Sequence, residues 1–205
     1  MAFRRSNLFF LYVLSTFIAS CAASDNASDD GYVTVARDLR RDSEAARELN
    51  RGAVHQIENE KWEEAEKTLK TALSRDITFG PAHNNLGRVY FQRAVLYLAA
   101  WEFQYAAKLM PTHSAPKNNL GLVFEAVGKL DDAVEKYGEA LKLEGDNSEY
   151  RANLTRARIR RGDSGADVRE LLQDLALKES RAEWKEWARE RLLQMRGANG
   201  TESEQ

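Results

Sequence analysis

Titratable side chains are numerous in this 205-residue chain, but their spacing is typical of a solvated surface. Acid–base catalysis needs such groups held together in a pocket, whereas the glutamates between 58 and 66 have the pattern of a solvent-facing helix. His55, His83 and His113 are far apart along the chain, without the short spacing of a helical metal site, and surface or capping roles are expected for the last two. The sequence also has no glycine-rich phosphate loop and no nucleophile elbow. It therefore predicts no enzyme, no cofactor and no metal site.

The single cysteine, Cys21, ends an apolar segment with the chemistry of an export signal. Two arginines precede a short apolar run, and no charge follows until Asp25. Residues 18–21 (Ile-Ala-Ser-Cys) resemble the lipobox of bacterial lipoproteins. The resemblance implies cleavage before Cys21, a diacylglyceryl group on its thiol and acylation of the new amine, and several acyl chains give stable anchoring. The alternative is general signal-peptidase cleavage after Ala23, which would release a soluble protein.

The start of the chain therefore predicts a place in the cell envelope. Residues 1–20 form the expected signal peptide, and residues 21–43 the acylated cysteine with a flexible, acidic tether. Ala22 after the cysteine favours the outer membrane, facing the periplasm, with the inner membrane or the cell surface as alternatives. The 30 basic and 32 acidic residues give a net charge of −2, which argues against a nucleic-acid partner.

The rest of the chain has a 34-residue period. Asn-Leu-Gly at 85–87 recurs as Asn-Leu-Gly at 119–121 and as Asn-Leu-Thr at 153–155, and apolar positions recur at the same step. A fixed period of this length is typical of a solenoid built from one supersecondary unit. The repeated residues resemble the tetratricopeptide repeat. The resemblance implies an all-α fold, an α-α superhelical solenoid of about three and a half repeats with a C-terminal capping helix.

The repeat domain is predicted over residues 44–195, followed by a disordered tail over 196–205. Its units are expected at 46–79, 80–113, 114–147 and, in partial form, 148–176, with the capping helix at 181–195. Two positions depart from the repeat pattern. Ala94 stands where a turn glycine is usual, and Gly52 lies one residue away from the expected packing position, so the register of the first helix is ambiguous.

Asn85, Asn119 and Asn153 follow one another at the 34-residue step and are expected to form a ladder on the first helices of the repeats. In the tetratricopeptide family these helices line the concave face. Some members hold extended peptides by such a ladder, because a primary amide offers both donors and an acceptor. The alternative is that asparagine stands at this position for structural reasons.

A second row of candidate groove residues, Arg88, Leu122 and Arg156, lies three residues further along each helix. Two arginines on either side of an apolar residue would suit a ligand with carboxylates and an apolar side chain. The carboxylate clamp of the tetratricopeptide family is not reproduced, so recognition of an acidic peptide terminus does not follow from the resemblance.

Two further features are candidate partner surfaces. Trp101 falls outside the packing positions of its unit and is predicted to be an exposed partner anchor. A candidate basic patch for an anionic lipid, an acidic glycan or an acidic partner comes from one predicted helix. Its residues are Arg151, Arg156, Arg158, Arg160 and Arg161. The alternative is ion pairing with the acidic residues between 163 and 174.

These features predict a membrane-anchored, non-catalytic scaffold that binds a protein or peptide partner of the cell envelope in its groove. By family analogy, the assembly would be one for secretion, pili or cell-wall synthesis. Two alternatives stay open: a structural lipoprotein that self-assembles into homo-oligomers, and an accessory subunit of an envelope enzyme.

Overall fold

The structure is a computed structural model that describes residues 41–200, with side chains up to residue 195. The predicted signal peptide, Cys21, most of the tether and the last five residues lie outside the described residues. Within the described range the chain is all-helical, and none of its helices is long and apolar enough to span a membrane.

Nine helices follow one another over this range. They are α1 (Ser43–Glu58), α2 (Trp62–Arg75), α3 (Gly80–Gln92), α4 (Leu96–Leu109), α5 (Ala115–Ala126), α6 (Leu130–Leu143), α7 (Ser148–Arg161), α8 (Ala166–Lys178) and α9 (Ala182–Gly200).

The helices pack in consecutive pairs, from α1/α2 to α7/α8, and α9 closes the stack against α8. Helices α2, α4 and α6 begin and end one sequence period apart. The first helices contact one another along the stack, α1 with α3, α3 with α5 and α5 with α7. These first helices therefore form the inner layer, and the second helices form the outer layer.

Glycines in the first helices let aromatic rings approach the helix backbone. An added Cβ at Gly87 would lie 2.6 Å from Phe103 Cε1, and one at Gly121 would lie 2.7 Å from the ring of Tyr137. Both rings are fully buried, so the glycines make room for the two largest side chains of the inter-helix core.

In the first repeat, alanine and leucine occupy the two positions that glycine and an aromatic residue occupy in the next repeats. Ala53 lies one period before Gly87, and Leu69 lies one period before Phe103. Both are fully buried in one core cluster. An added Cβ at Gly52 would meet nothing within 4 Å. The packing position is therefore Ala53, which fixes the register that the sequence leaves ambiguous.

Gly121→Ala is expected to destabilise the domain by about 1–3 kcal/mol, because the added methyl overlaps the buried ring of Tyr137. Gly138→Ala is the matched control, since an added Cβ there meets nothing within 4 Å. It is expected to stabilise helix α6 by about 0.5–1 kcal/mol, as alanine is the better helix former. Urea unfolding followed by circular dichroism measures both changes, and equal signs would contradict the close approach at Gly121.

The turn between the two helices of each repeat has one residue with positive φ. These residues are Glu60 (57°), Ala94 (58°), Gly128 (77°) and Gly162 (103°), again one period apart. The backbone therefore keeps the left-handed conformation in the first two repeats without glycine, at a conformational cost to Glu60 and Ala94.

Ala94→Gly is expected to stabilise the domain by up to about 1 kcal/mol, because glycine adopts positive φ without the steric cost of a side chain. Gly128→Ala should destabilise it by a similar amount. An added Cβ at Gly128 has no neighbour within 4 Å, so this change isolates the backbone effect. Thermal unfolding measures both. A loss of stability on Ala94→Gly would mean that the methyl contributes more than the backbone strain costs.

The core is divided into clusters along the stack. One cluster runs through the first two repeats to Leu120 and Val123 of α5. A small one joins α6 to α7 around Tyr137 and Ala157. A third joins α7, α8 and α9. Its buried members are Ala152, Val168, Leu172, Leu175 and Ala188.

Candidate functional site

The three asparagines of the predicted ladder lie at the junctions between first helices. The side-chain nitrogen of each donates to the side-chain oxygen of an asparagine one repeat earlier, at 2.9–3.0 Å. The pairs are Asn85 with Asn50, Asn119 with Asn84, and Asn153 with Asn118. The acceptors Asn50, Asn84 and Asn118 also follow one another at the period of the sequence.

These amide pairs favour the structural explanation of the ladder. Asn85 and Asn153 are buried, and Asn119 is half-buried. Each donates one amide hydrogen to the neighbouring repeat, and the side-chain oxygen of Asn85 also accepts from Arg88 at 3.3 Å. Because buried amides left without partners cost stability, alanine at these positions would loosen the stack. A direct role of the ladder in holding a peptide stays a prediction.

The row beside the ladder is only partly open. Arg88 of α3 is exposed, and among the described side chains no carboxylate forms a salt bridge with it. Leu122 of α5 is half-buried against the cluster around Tyr137. This row therefore presents an exposed arginine, Arg88, followed by the half-buried Leu122.

Arg156, the third member of the row, is committed to Glu125 of α5. Its Nε and Nη2 donate to the two carboxylate oxygens at 2.8 and 2.7 Å. Arg160 donates to the same carboxylate at 2.8 Å, and so does the hydroxyl of Tyr137. Arg156 is therefore not available to clamp a ligand carboxylate, which corrects the prediction of two free arginines beside Leu122.

The environment of Glu125 keeps it ionised. Its side chain is 6% exposed. Burial raises the pKa of Glu125, but the hydrogen bonds from Arg156, Tyr137 and Arg160 outweigh it and lower the pKa to about 2. Burial and the neighbouring carboxylate raise the pKa of Tyr137, so its hydroxyl stays a donor. Glu125 thus joins three helices, α5, α6 and α7, through one buried carboxylate.

An aromatic cavity lies at the C-terminal end of the row. Its volume is about 270 Å³, and it is lined by Arg156, Glu183, Trp184 and Trp187. The two indole rings are edge to face, with centroids 5.3 Å apart. The guanidinium carbon of Arg156 lies 5.5 Å from the Trp184 ring centroid, a cation–π contact that holds the ring in place.

Trp187 of this cavity and the buried Glu125 are both absent from the predicted site, although the sequence carries a signal for each. Trp187 stands one further period after Asn153, so α9 takes the place of the next first helix. Glu125 precedes Arg156 and Arg160 by close to one repeat. A search for acids one repeat before unexplained arginines would have found it.

The predicted basic patch is neutralised by neighbouring acids. Arg151 is buried, donates to the Gly145 carbonyl at 2.6 Å and lies 3.7 Å from Asp174. The other pairs are Arg158 with Asp167, Arg160 with Glu125, and Arg161 with Asp163 and Asp131. The structure thus favours ion pairing, because acids of α5, α6 and α8 and of the turn after α7 face these arginines.

His83 has a structural role rather than the expected surface or capping role. It is buried, with Nδ1 2.6 Å from Glu102 Oε2 and Nε2 2.8 Å from the Ile77 carbonyl. Its ring also meets Tyr105 edge to face at 4.6 Å. With both ring nitrogens engaged, His83 fastens α3 to α4. Trp101, in contrast, is 60% exposed on the outer layer, as predicted.

Neither a family model nor a curated protein matches the chain. Solved structures do match it. The first tetratricopeptide domain of RPAP3 (Spaghetti), bound to an HSP90 peptide, has a TM-score of 0.58 and 21% identity over 60% of this chain and 98% of that chain. The Pseudomonas aeruginosa protein PilF has a TM-score of 0.59 and 21% identity, over 64% and 60% of the two chains.

A third match is the O-GlcNAc transferase of Thermobaculum terrenum, with a TM-score of 0.59 and 22% identity. It covers 65% of this chain but only 26% of the transferase. At these identities the similarity shows the fold alone. The described helices form a tetratricopeptide superhelical solenoid, as the 34-residue period predicts.

Proposed function

We propose that the protein is a non-catalytic scaffold of the bacterial envelope, anchored through an acylated Cys21, that holds a partner segment along its inner face. The observation that carries this proposal is the row that runs from exposed Arg88 past Leu122 to the aromatic cavity at Trp184 and Trp187. A groove lined by an available cation and apolar side chains is suited to a peptide or helix rather than to a small-molecule reaction.

The fold supports binding of this kind. The matching RPAP3 domain was solved with a peptide, so a solenoid of this geometry accommodates one. The amide pairs between repeats hold the first helices in register, and this keeps the row pre-formed before a partner binds.

The chemistry of the row describes the segment that it would accept. An acidic side chain would pair with Arg88, an apolar one would lie on Leu122, and an apolar or aromatic one would enter the cavity between Trp184 and Trp187. Since Glu125 already occupies Arg156, a second acidic group on the segment would find no free partner there.

The anchoring part of the proposal rests on the sequence before the solenoid. Only residues 22–42 separate the lipobox-like residues 18–21 from the first described helix. Such a segment spans at most about 70 Å when extended, so an acyl anchor at Cys21 would keep the solenoid close to the membrane surface. A protein held at this location could take part in an assembly for secretion, pili or cell-wall synthesis.

Crosslinked affinity capture from detergent-solubilised envelopes tests the inner face. Arg88→Glu and Glu183→Lys change exposed residues at the two ends of the row, and Lys142→Glu on α6 is the matched outer-layer control. A partner captured by wild type and by Lys142→Glu, but lost by the two inner-face variants, is expected. These exposed positions are better suited than the asparagine ladder, whose removal would also weaken the fold. A partner that all variants retain, or capture of the chain's own copies alone, would contradict binding at the inner face.

Metabolic labelling with an alkyne fatty acid tests the anchor independently. Wild type should incorporate the label and sediment with membranes, whereas Cys21→Ala should lose the label. An unlabelled wild-type protein in the soluble fraction would instead support cleavage after Ala23.

A further inference from the structure

Trp184, one wall of the aromatic cavity, is in contact with two guanidinium groups of this chain. The guanidinium carbon of Arg156 lies 5.5 Å from the ring centroid, and that of Arg181 lies 5.4 Å from it. Both distances are within the reach of a cation–π contact, about 6 Å. Arg156 belongs to α7, whereas Arg181 directly precedes α9. The ring of Trp184 is therefore held from two different parts of the stack.

Each of these two arginines is fixed in turn by a buried carboxylate. Glu179 follows α8 and its side chain is fully buried. It accepts from Nη2 of Arg181 at 2.8 Å, from Nε at 3.1 Å and from the Arg181 backbone amide at 3.0 Å. Arg181 thus receives from Glu179 the bidentate support that Arg156 receives from Glu125.

The charges around the cavity balance one another. Hydrogen bonds from Arg181 lower the pKa of Glu179 to about 2, against the opposing effect of burial. Glu125 likewise has a pKa of about 2, so both carboxylates stay ionised and keep their arginines in place. The pKa of Arg181 is raised by its hydrogen bonds to Glu179 and, to a smaller extent, by the charge of Glu183, which lines the cavity.

The occupied ring of Trp184 determines which side chain the cavity suits. A cationic group binds an indole through its π face. Over Trp184 this attraction is already satisfied by Arg156 and Arg181, so a further cation would have to displace one of them from its carboxylate. An uncharged aromatic side chain can still pack edge to face, as Trp187 does against Trp184 with ring centroids 5.3 Å apart.

We propose that Glu179 and Arg181, together with Glu125 and Arg156, are positioning residues that make the aromatic cavity selective for an uncharged aromatic side chain of the partner segment. The arginines occupy the cation-binding surface of Trp184, and the carboxylates hold the arginines there. This inference rests on the proposed function, because it names the class of side chain that the inner face accepts at its C-terminal end. Lysine and arginine are the residues that this position rejects.

Two small probes measure this selectivity on the purified full chain. They are p-cresol, which has the ring of a tyrosine side chain, and n-propylguanidinium, which has the charged group of an arginine. The indole N–H signals in nitrogen-15 NMR spectra report where each probe binds, and Trp62 and Trp101 serve as internal references. In wild type, p-cresol is expected to shift the signals of Trp184 and Trp187 and to bind about fivefold more tightly than n-propylguanidinium.

Arg181→Met keeps much of the side-chain length but removes one guanidinium from Trp184. The vacated ring surface should bind n-propylguanidinium about fivefold more tightly than wild type does. The exciton couplet of Trp184 and Trp187 in circular dichroism should weaken, because the ring loses one of its two supports. Arg189→Met is the matched control and should change neither measurement, since Arg189 of α9 is 56% exposed and pairs with Glu186.

Glu179→Gln tests whether the carboxylate acts through Arg181. Glutamine keeps an acceptor for the guanidinium but removes the charge that holds it. Both measurements should move in the same direction as in Arg181→Met, by a smaller amount. A change in selectivity and in the couplet distinguishes this positioning role from a loss of stability alone.

Three results would overturn the proposal. Wild type could bind n-propylguanidinium as tightly as p-cresol, neither probe could shift the two cavity signals, or Arg181→Met could keep the couplet and the selectivity of wild type. The proposed function is tested separately, because Arg88→Glu leaves the cavity intact. Partner capture at the inner face without probe selectivity would contradict this inference alone. Selective p-cresol binding without such capture would contradict the proposed function alone.

Discussion

Replacement of Glu125 by alanine is expected to destabilise the domain by about 3 kcal/mol. The change removes the acceptor of four hydrogen bonds and leaves the buried hydroxyl of Tyr137 without a partner. Breaking a buried ion pair from one side costs about 3–5 kcal/mol. The lower end applies because Arg156 and Arg160 are 29% and 50% exposed and recover part of their hydration.

Urea unfolding of Glu125→Ala beside Glu135→Ala measures this effect. Glu135 is a glutamate on α6 whose side chain is 63% exposed, and its loss should change the free energy of unfolding by less than about 0.5 kcal/mol. Tyr137→Phe, which removes a single donor, should fall between the two. Equal stability of the two glutamate variants would mean that the Glu125 network contributes no net free energy.

Acid is expected to weaken the domain through the same carboxylate. The folded pKa of Glu125 is about 2, below the ordinary value of 4.5, so the unfolded chain binds the proton more readily. Its contribution is therefore complete above about pH 5 and is lost as the pH falls through 4 and 3 towards 2. The shift from 4.5 to about 2 corresponds to about 3 kcal/mol.

The comparison that isolates this contribution is Glu125→Gln against wild type. Urea midpoints at pH 7, 5, 4 and 3 should fall more steeply for wild type, and the two curves should converge in acid. Glu179 adds a second slope of the same sign in both proteins, because hydrogen bonds from Arg181 lower its pKa to about 2. Parallel curves for the two proteins would contradict a depressed pKa at Glu125.

The fold could be predicted from the sequence because a fixed 34-residue period is typical of stacked helical repeats. The second helices of the first three repeats begin and end at that step, and the positive φ angles recur at it even where glycine is absent. Single residues of the repeat pattern, such as a turn glycine, are a less reliable guide to the fold than the period. The missing glycine at Ala94 and the displaced Gly52 leave the repeat intact, since neighbouring packing determines the backbone there.

The candidate site was less predictable because its chemistry depends on contacts between repeats. The ladder asparagines could be located along the chain, but their partners Asn50, Asn84 and Asn118 are one residue out of phase. Arg156 has the spacing of a groove residue, yet the nearby carboxylate of Glu125 binds it. Exposure of Trp101 could be predicted, whereas that of Tyr97 required the structure.

The amide pairs have a consequence for how the stack opens. Each closes a junction between first helices, so the units from α1 to α7 are coupled to their nearest neighbours by a repeated interaction. At the next junction Trp187 replaces the asparagine, and the helices there share their own core. Hydrogen exchange in α9 should therefore occur by local opening, while α3 to α6 exchange through global unfolding. Since the aromatic cavity lies at this weaker junction, a segment that fills it would also slow exchange in α9, which couples binding to closure of the stack.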